Sequence, residues 1–355
     1  MLVELNKFRL ADELAGANES IVELLRKAAT AEVVSYENTM EGWGHSGVPA
    51  RKKVEAVLAL PLADRVALAS AVAADLRFES GSDRYEFAFF ELSESARKAG
   101  KELMGSMYKD VFGGGSFVLG SGEEGSRGAW EDAFRAANPN LRVCPACLVG
   151  VLETRIEGRS AIDLDHYLPK SLYPPLSIHG PNLVPLCSRC NSRAKGEKDP
   201  LQDGDRRRRL ASVWFPYAGG GLGEAHLAFE VDGDSHTTVR LQATGQAKQR
   251  AENFDALYLV SKLWSEQLEA VHNSLCSGLA ARGARRGAAL TVAEISDELA
   301  IKAIEKASTR LETSNAYLVE SYCRWLLSDP VTVNAFAEAV QKFPPPPAAV
   351  PDPAL

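Results

Sequence analysis

The chain has 355 residues, 45% of them hydrophobic, with a net charge of −7 and a pI near 5.6. That is enough apolar material for two or three folded units, and no apolar run approaches the roughly 18 residues that cross a bilayer, so a soluble protein with no membrane partner is expected. The acidic balance excludes binding of nucleic acid by bulk charge; any such contact has to come from a local patch.

The N-terminal stretch MLVELNKFRLADELAG carries charges throughout and has no continuous apolar core, so no secretory signal is expected and the compartment is read as cytoplasmic. The first predicted helix runs from Asn18 to Val33, with Ser20 as N-cap and Ile21, Leu24, Leu25 and Ala28 on one stripe. A Gly-rich stretch, Glu41 to Gly47, breaks it, and His45 there reads as loop. Helical patterning returns over Arg51 to Leu60 and Ala63 to Leu76, divided by Pro61, and continues from Phe87 to Val111. Residues 1–112 are therefore a helical N-terminal domain. Gly113 to Gly125 is rich in glycine but lacks the Gly-Lys-Ser/Thr ending of a phosphate-cradling loop. With a short helix from Ala129 to Ala137, residues 113–140 read as a linker.

Residues 141–210 concentrate the chemistry. Cys144-Pro-Ala-Cys147 and Cys187-Ser-Arg-Cys190 are two Cys-x-x-Cys pairs, separated by 39 residues. In a reducing compartment such pairs more often bind metal than form disulfides. Four thiolates suit a tetrahedral structural Zn²⁺ and leave no open coordination position for chemistry. Between the pairs, Ser160 to Asp165 alternates like a short strand leading into His166, so Asp165 and His166 point to opposite faces unless the strand ends or bulges there. A neutral imidazole can take a proton from water, and carboxylate and amide oxygens suit Mg²⁺; phosphodiester hydrolysis needs both functions. Asp163 reads equally as a supporting partner or a solvated carboxylate, and His179 as an exposed loop histidine.

The pattern Cys-x-x-Cys, Asp165-His166-x-x-Pro169-x-Ser171, Asn182-Leu-x-x-Leu-Cys187-x-x-Cys190-Asn191 resembles the HNH endonucleases, in the variant whose last histidine is Asn. The resemblance covers about 55 of the 355 residues. It implies a ββα-metal unit in which a β-hairpin, a loop and a helix hold one divalent cation against the scissile phosphate. It further implies His166 as general base, Asp165 and Asn191 as ligands of a catalytic Mg²⁺ or Mn²⁺, Asn182 as the residue that fixes the loop and orients the histidine, and 3′-hydroxyl and 5′-phosphate products. The family often reads Cys-Asn-x-x-Lys-Gly, whereas Cys190-Asn191-Ser-Arg-Ala-Lys195-Gly196 has one residue more. Lys195 is still within helical reach of a phosphate.

Beyond the motif, eight basic residues against four acidic ones fall between Arg189 and Arg209. Arg193, Lys195, Arg206, Arg207, Arg208 and Arg209 are thus candidate backbone contacts for DNA, read without sequence preference. Residues 211–343 form a C-terminal unit. It begins with a hairpin from Ala225 to Leu241 around an Asp-Gly turn, in which His226 and His236 are structural. Helices follow through Leu257, Val260, Trp264, Leu268 and Val271, from Val292 to Leu311 and from Ala316 to Leu327. Cys276 and Cys323 in those helices behave as small apolar residues. Residues 344–355 are a Pro-rich tail.

The expected fold class is mainly α, with a small central zinc-stapled ββα-metal nuclease unit and a short β-hairpin. The expected function is metal-dependent endonuclease action on DNA. The alternatives are a non-catalytic zinc-stabilised module that binds DNA or protein, and an RNase. One site cuts one strand, so a double-strand break calls for a homodimer or two nicks. The helical flanks are like those of prokaryotic HNH proteins in antiviral defence, which act beside an ATPase partner; this is analogy alone.

Overall fold

A computed structural model describes residues 21–30, 51–77, 87–112, 117–118, 124–125, 127–152, 163–203, 206–207, 210–217, 221–232 and 236–344. The protein is mainly helical, with small antiparallel two-stranded sheets. Among the described residues, no helix is long and apolar enough to cross a membrane.

The N-terminal helices follow the apolar spacing. Residues 21–28 are helical and bury Ile21, Leu24, Leu25 and Ala28, as the stripe predicts. The proposed cap Ser20, the turn with His45 and most of the Gly-rich linker lie outside the described residues. Helix α1 (Arg51–Leu58) and α2 (Leu62–Asp75) flank Pro61, which takes the N-cap of α2. The stretch from Phe87 is less uniform than its periodicity suggests. A 3₁₀ turn (Ala88–Glu91) hangs by two backbone N–H groups on the buried Asp75 carboxylate. Ser93 then caps α3 (Glu94–Ser106), and the chain widens into a π-helix, Met107–Phe112. A two-residue ladder, β1 (Phe117–Val118) with β2 (Glu124–Gly125), precedes α4 (Arg127–Ala137).

The central unit is a hairpin, a long connection and a helix. Strand β3 (Asp163–His166) pairs antiparallel with β4 (Leu183–Leu186), placing Asp165 opposite Val184 and His166 opposite Leu183. Right after β4 comes a second π-helix, Arg189–Lys195. Both flanks cover this unit. From the N-terminal side, Met104 accepts a hydrogen bond from Ser177 Oγ in the connection (3.1 Å). From the C-terminal side, Trp264 Nε1 donates to the Cys147 carbonyl (3.0 Å), and Leu311 accepts from the amides of Arg142 and Val143.

Beyond the π-helix the described part of the basic run contributes a short ladder, β5 (Gln202–Asp203) with β6 (Arg206–Arg207). The predicted hairpin is present as β7 (Ala225–Val231) and β8 (Thr237–Ala243) in continuous register, with His226 exposed on β7 and His236 exposed just before β8. The helical remainder comprises α5 (Gln246–Tyr258), α6 (Val260–Arg286), α7 (Val292–Ser308), α8 (Ala316–Leu327) and α9 (Pro330–Lys342). Leu259, with φ 53°, breaks α5 from α6, a left-handed turn that no glycine announces in the sequence. Cys276 and Cys323 are buried in α6 and α8, as read. Residues 345–355 of the tail lie outside the described residues.

Candidate functional site

The four motif cysteines converge. The Sγ atoms of Cys144, Cys147, Cys187 and Cys190 all lie within 4.8 Å of one another, and this is the only such cluster among the described residues. Sulfurs on one tetrahedral Zn²⁺ stand about 3.8 Å apart; Cys147 Sγ and Cys187 Sγ are 3.8 Å apart. The turn that presents the first pair is tight. The Cys144 amide donates to the Gly150 carbonyl (2.6 Å), the Gly150 amide donates to Cys147 Sγ (3.4 Å), and Leu148 between them has φ 56°. A Cβ on Gly150 would stand 2.6 Å from Cys187 Cβ and Sγ, so only glycine lets the second pair close on the first. Burial pushes the Cys144 thiol well above its ordinary value; a cation among the sulfurs would supply the missing countercharge. The set could hold a metal ion such as zinc.

His166 closes β3, and its side chain is fixed from two sides. Nε2 lies 2.8 Å from the Ser177 carbonyl oxygen. A carbonyl only accepts, so Nε2 carries the proton and Nδ1 is the basic nitrogen. Tyr108, from the first π-helix, packs against the imidazole edge-on, with centroids 4.3 Å apart. Burial, joined by the Lys170 charge, holds the ring neutral down to a pKa of about 3. Ser177 is held in place by Asn182, which staples the connection: its Oδ1 accepts from the Leu168 amide (2.7 Å), and its Nδ2 donates to the carbonyls of Leu168 (3.0 Å) and Leu176 (3.1 Å). The Asn182 carbonyl also accepts from the Tyr167 amide (2.9 Å).

Asp165 and His166 are the last two residues of β3, and both are buried, His166 against Tyr108 of the first π-helix and Asp165 against Lys195 of the second. On the Asp165 side stands the π-helix. Its wide turns absorb the extra residue between Asn191 and Lys195, and the Gly196 amide bonds five residues back to the Asn191 carbonyl (2.7 Å) with Gly196 at φ 53°. Lys195 is thereby turned inward. Its Nζ donates to Asp165 Oδ1 (3.0 Å) and to the His166 carbonyl (2.8 Å).

Lys195 is consequently no surface contact for a phosphate, contrary to the sequence reading. The inserted residue and the π geometry carry its side chain back under the hairpin. Asp165 Oδ2 remains buried and without a hydrogen bond, and burial outweighs the ammonium, raising the Asp165 carboxyl to a pKa of about 6. Asn191 is half-buried, with no hydrogen bond to its side chain among the described residues.

Of the remaining candidates, Arg193 is exposed on the π-helix, Arg206 and Arg207 are described only as backbone, and Arg208 and Arg209 lie outside the described residues. Asp163 is half-buried on the Asp165 face of β3. His179 is a correction: it is buried, not exposed, because the whole connection from Tyr173 to Gly180 packs beneath α3. Sequence reasoning missed Tyr108 and Ser177, which reach His166 from outside the motif or through a backbone atom. Gly150 was readable in principle, as a glycine three residues beyond a Cys-x-x-Cys pair.

No protein-family model, no curated protein and no solved structure matches this chain.

Proposed function

We propose that the chain is a metal-dependent endonuclease of the HNH type that hydrolyses phosphodiester bonds of DNA. The observation that supports this most is the pairing of a neutral histidine, its Nε2 held by the Ser177 carbonyl, with a buried carboxylate oxygen that has no hydrogen bond, on adjacent residues of one strand. His166 Nδ1 takes a proton from water, the hydroxide so formed attacks phosphorus, and the P–O3′ bond breaks, leaving a 5′-phosphate and an O3′ that takes a proton from solvent water. Burial makes this imidazole a weak base in the free protein; the negative charge of a bound diester raises its basicity where it is used. Asp165, through Oδ2, and Asn191, through its free carboxamide, are the residues that would hold Mg²⁺ or Mn²⁺, which when bound supplies positive charge to the phosphate oxygens. The cysteine set, in this reading, holds zinc and keeps the helix carrying Asn191 against the hairpin.

One observation favours a second reading. Lys195 already neutralises one oxygen of Asp165, as it would in a zinc-stabilised module that binds DNA or protein without cutting.

Plasmid nicking separates the two. Purified protein is assayed with Mg²⁺, Mn²⁺ or EDTA, beside His166→Ala of equal zinc content and equal circular dichroism. The proposed nuclease nicks only with divalent cation, and His166→Ala loses on the order of 10²-fold or more. Undiminished cutting by His166→Ala overturns the assignment. Binding without cutting under every metal selects the second reading, and cutting of RNA alone moves the substrate from DNA to RNA.

A further inference from the structure

The geometry points to Lys170, seated on the ring of Tyr108, as the residue that receives the backbone phosphate of the nucleic acid at His166. This rests on the nuclease reading above and names the substrate contact that Lys195 does not supply. Lys170 follows Pro169 in the connection after β3, is exposed, and carries its Nζ 4.1 Å above the centre of the Tyr108 ring. The same ring packs edge-on against the His166 imidazole at 4.3 Å. One aromatic side chain therefore touches both the proton acceptor and a lysine ammonium. Among the described residues no carboxylate forms an ion pair with that ammonium, and Glu197 acts on it through its charge. Neighbouring protein strips part of the water from Lys170.

A cation that is partly desolvated, without an ion-pair partner among the described residues, and beside a buried neutral imidazole is suited to a diester anion. A phosphate oxygen offers it a charge-assisted hydrogen bond in place of the weaker hold of the ring face. Placement follows from the chain. Pro169 fixes the backbone just before Lys170, its carbonyl accepts from the amides of Leu172 (2.9 Å) and Tyr173 (2.8 Å), and Tyr173 is tied by its hydroxyl to Asp199 (2.6 Å). Tyr108 stands on the π-helix that continues α3, and α3 is tied to the same connection by Ser177 Oγ, which donates to the Met104 carbonyl (3.1 Å). The helical N-terminal region thus contributes to the site rather than merely flanking it.

The test uses the full-length, zinc-loaded protein with Lys170→Gln and Lys170→Arg. Binding of a fluorescein-labelled DNA duplex is followed by anisotropy in Mg²⁺-free buffer over a series of salt concentrations, and nicking kinetics are followed in Mn²⁺. Loss of one phosphate contact lowers the slope of log affinity against log salt by about 1. Lys170→Gln is expected to show that drop with a rise in KM, while Lys170→Arg keeps the wild-type slope and zinc content is equal in all three. A Lys170→Gln protein with wild-type slope and kinetics overturns the inference and leaves the nuclease reading standing. A wild-type protein that neither binds the duplex with salt dependence nor nicks it overturns both.

Discussion

Lys195 Nζ and Asp165 Oδ1 form an ion pair 3.0 Å long with the side chains 1% and 4% exposed, one partner from the π-helix and the other from the hairpin. Removing one member of such a pair leaves the other as a bare buried charge, which costs far more than the pair itself contributes. Lys195→Met should therefore destabilise the fold by about 3–5 kcal/mol. The double variant Asp165→Asn/Lys195→Met should recover a large part of that loss. Urea unfolding of the two proteins checks this, and a single variant as stable as wild type would show that the pair does not hold helix to hairpin.

Cysteine replacement reports on the metal. Cys187→Ser should lower bound zinc below one equivalent, and since metal binding is folding free energy in such sites, its unfolding temperature should fall with it. Trp264 gives a local signal, because its indole donates to the Cys147 carbonyl at 3.0 Å. Stripping metal with a strong chelator should red-shift tryptophan emission as that contact loosens. Retention of a full zinc equivalent by Cys187→Ser would place the metal elsewhere.

Asn182 makes three side-chain hydrogen bonds to the connection that carries Ser177. Each is worth about 1 kcal/mol net, more where a buried partner is left unsatisfied. Asn182→Ala should cost roughly 3 kcal/mol on that basis and free the imidazole of His166 by releasing the Ser177 carbonyl. Asn182→Asp keeps the acceptor toward the Leu168 amide but sets a buried carboxylate oxygen against the carbonyls of Leu168 and Leu176, so it should cost at least as much. An imidazole titration by NMR that is identical in Asn182→Ala and wild type would contradict this coupling.

A further, half-buried histidine predicts a pH dependence of stability. His272 on α6 lies 2.8 Å from the Tyr322 hydroxyl and 3.5 Å from Cys276 Sγ, and burial lowers its pKa. In the unfolded chain it takes up a proton as pH falls through about 6.5, while the folded protein resists. The contribution of the neutral ring is therefore present above that value and lost as pH falls toward the folded-state pKa. Unfolding free energy should decline between pH 7 and pH 5, and less steeply in His272→Gln. A folded-state titration of His272 at or above the ordinary histidine range would refute the direction.

Much of the candidate site was legible because its signals are local. Two Cys-x-x-Cys turns each deliver two sulfurs to a point, whatever surrounds them, and Asn182 is placed on the loop by its resemblance to the middle Asn of the HNH motif, where its carboxamide indeed binds the backbone of Leu168 and Leu176. The stripe of Ile21, Leu24, Leu25 and Ala28 and the register of β7 with β8 were likewise readable from periods of 3.6 and 2. The π-helices were not, since a five-residue hydrogen-bond period leaves no distinct trace in apolar spacing, and α9 went unread beside a Pro-rich tail.

By itself the sequence determined which residue types could meet: four thiols, an imidazole, a carboxylate and two amides, at spacings that bring them together by short-range geometry. Only the tertiary structure decided where the charges lie. One inserted residue turns Lys195 inward onto Asp165, the cover of α3 buries His179, and a helix from the N-terminal region lays Tyr108 between Lys170 and His166. Burial and the direction of a long side chain depend on what packs against it from elsewhere in the chain, and no local pattern encodes that neighbour.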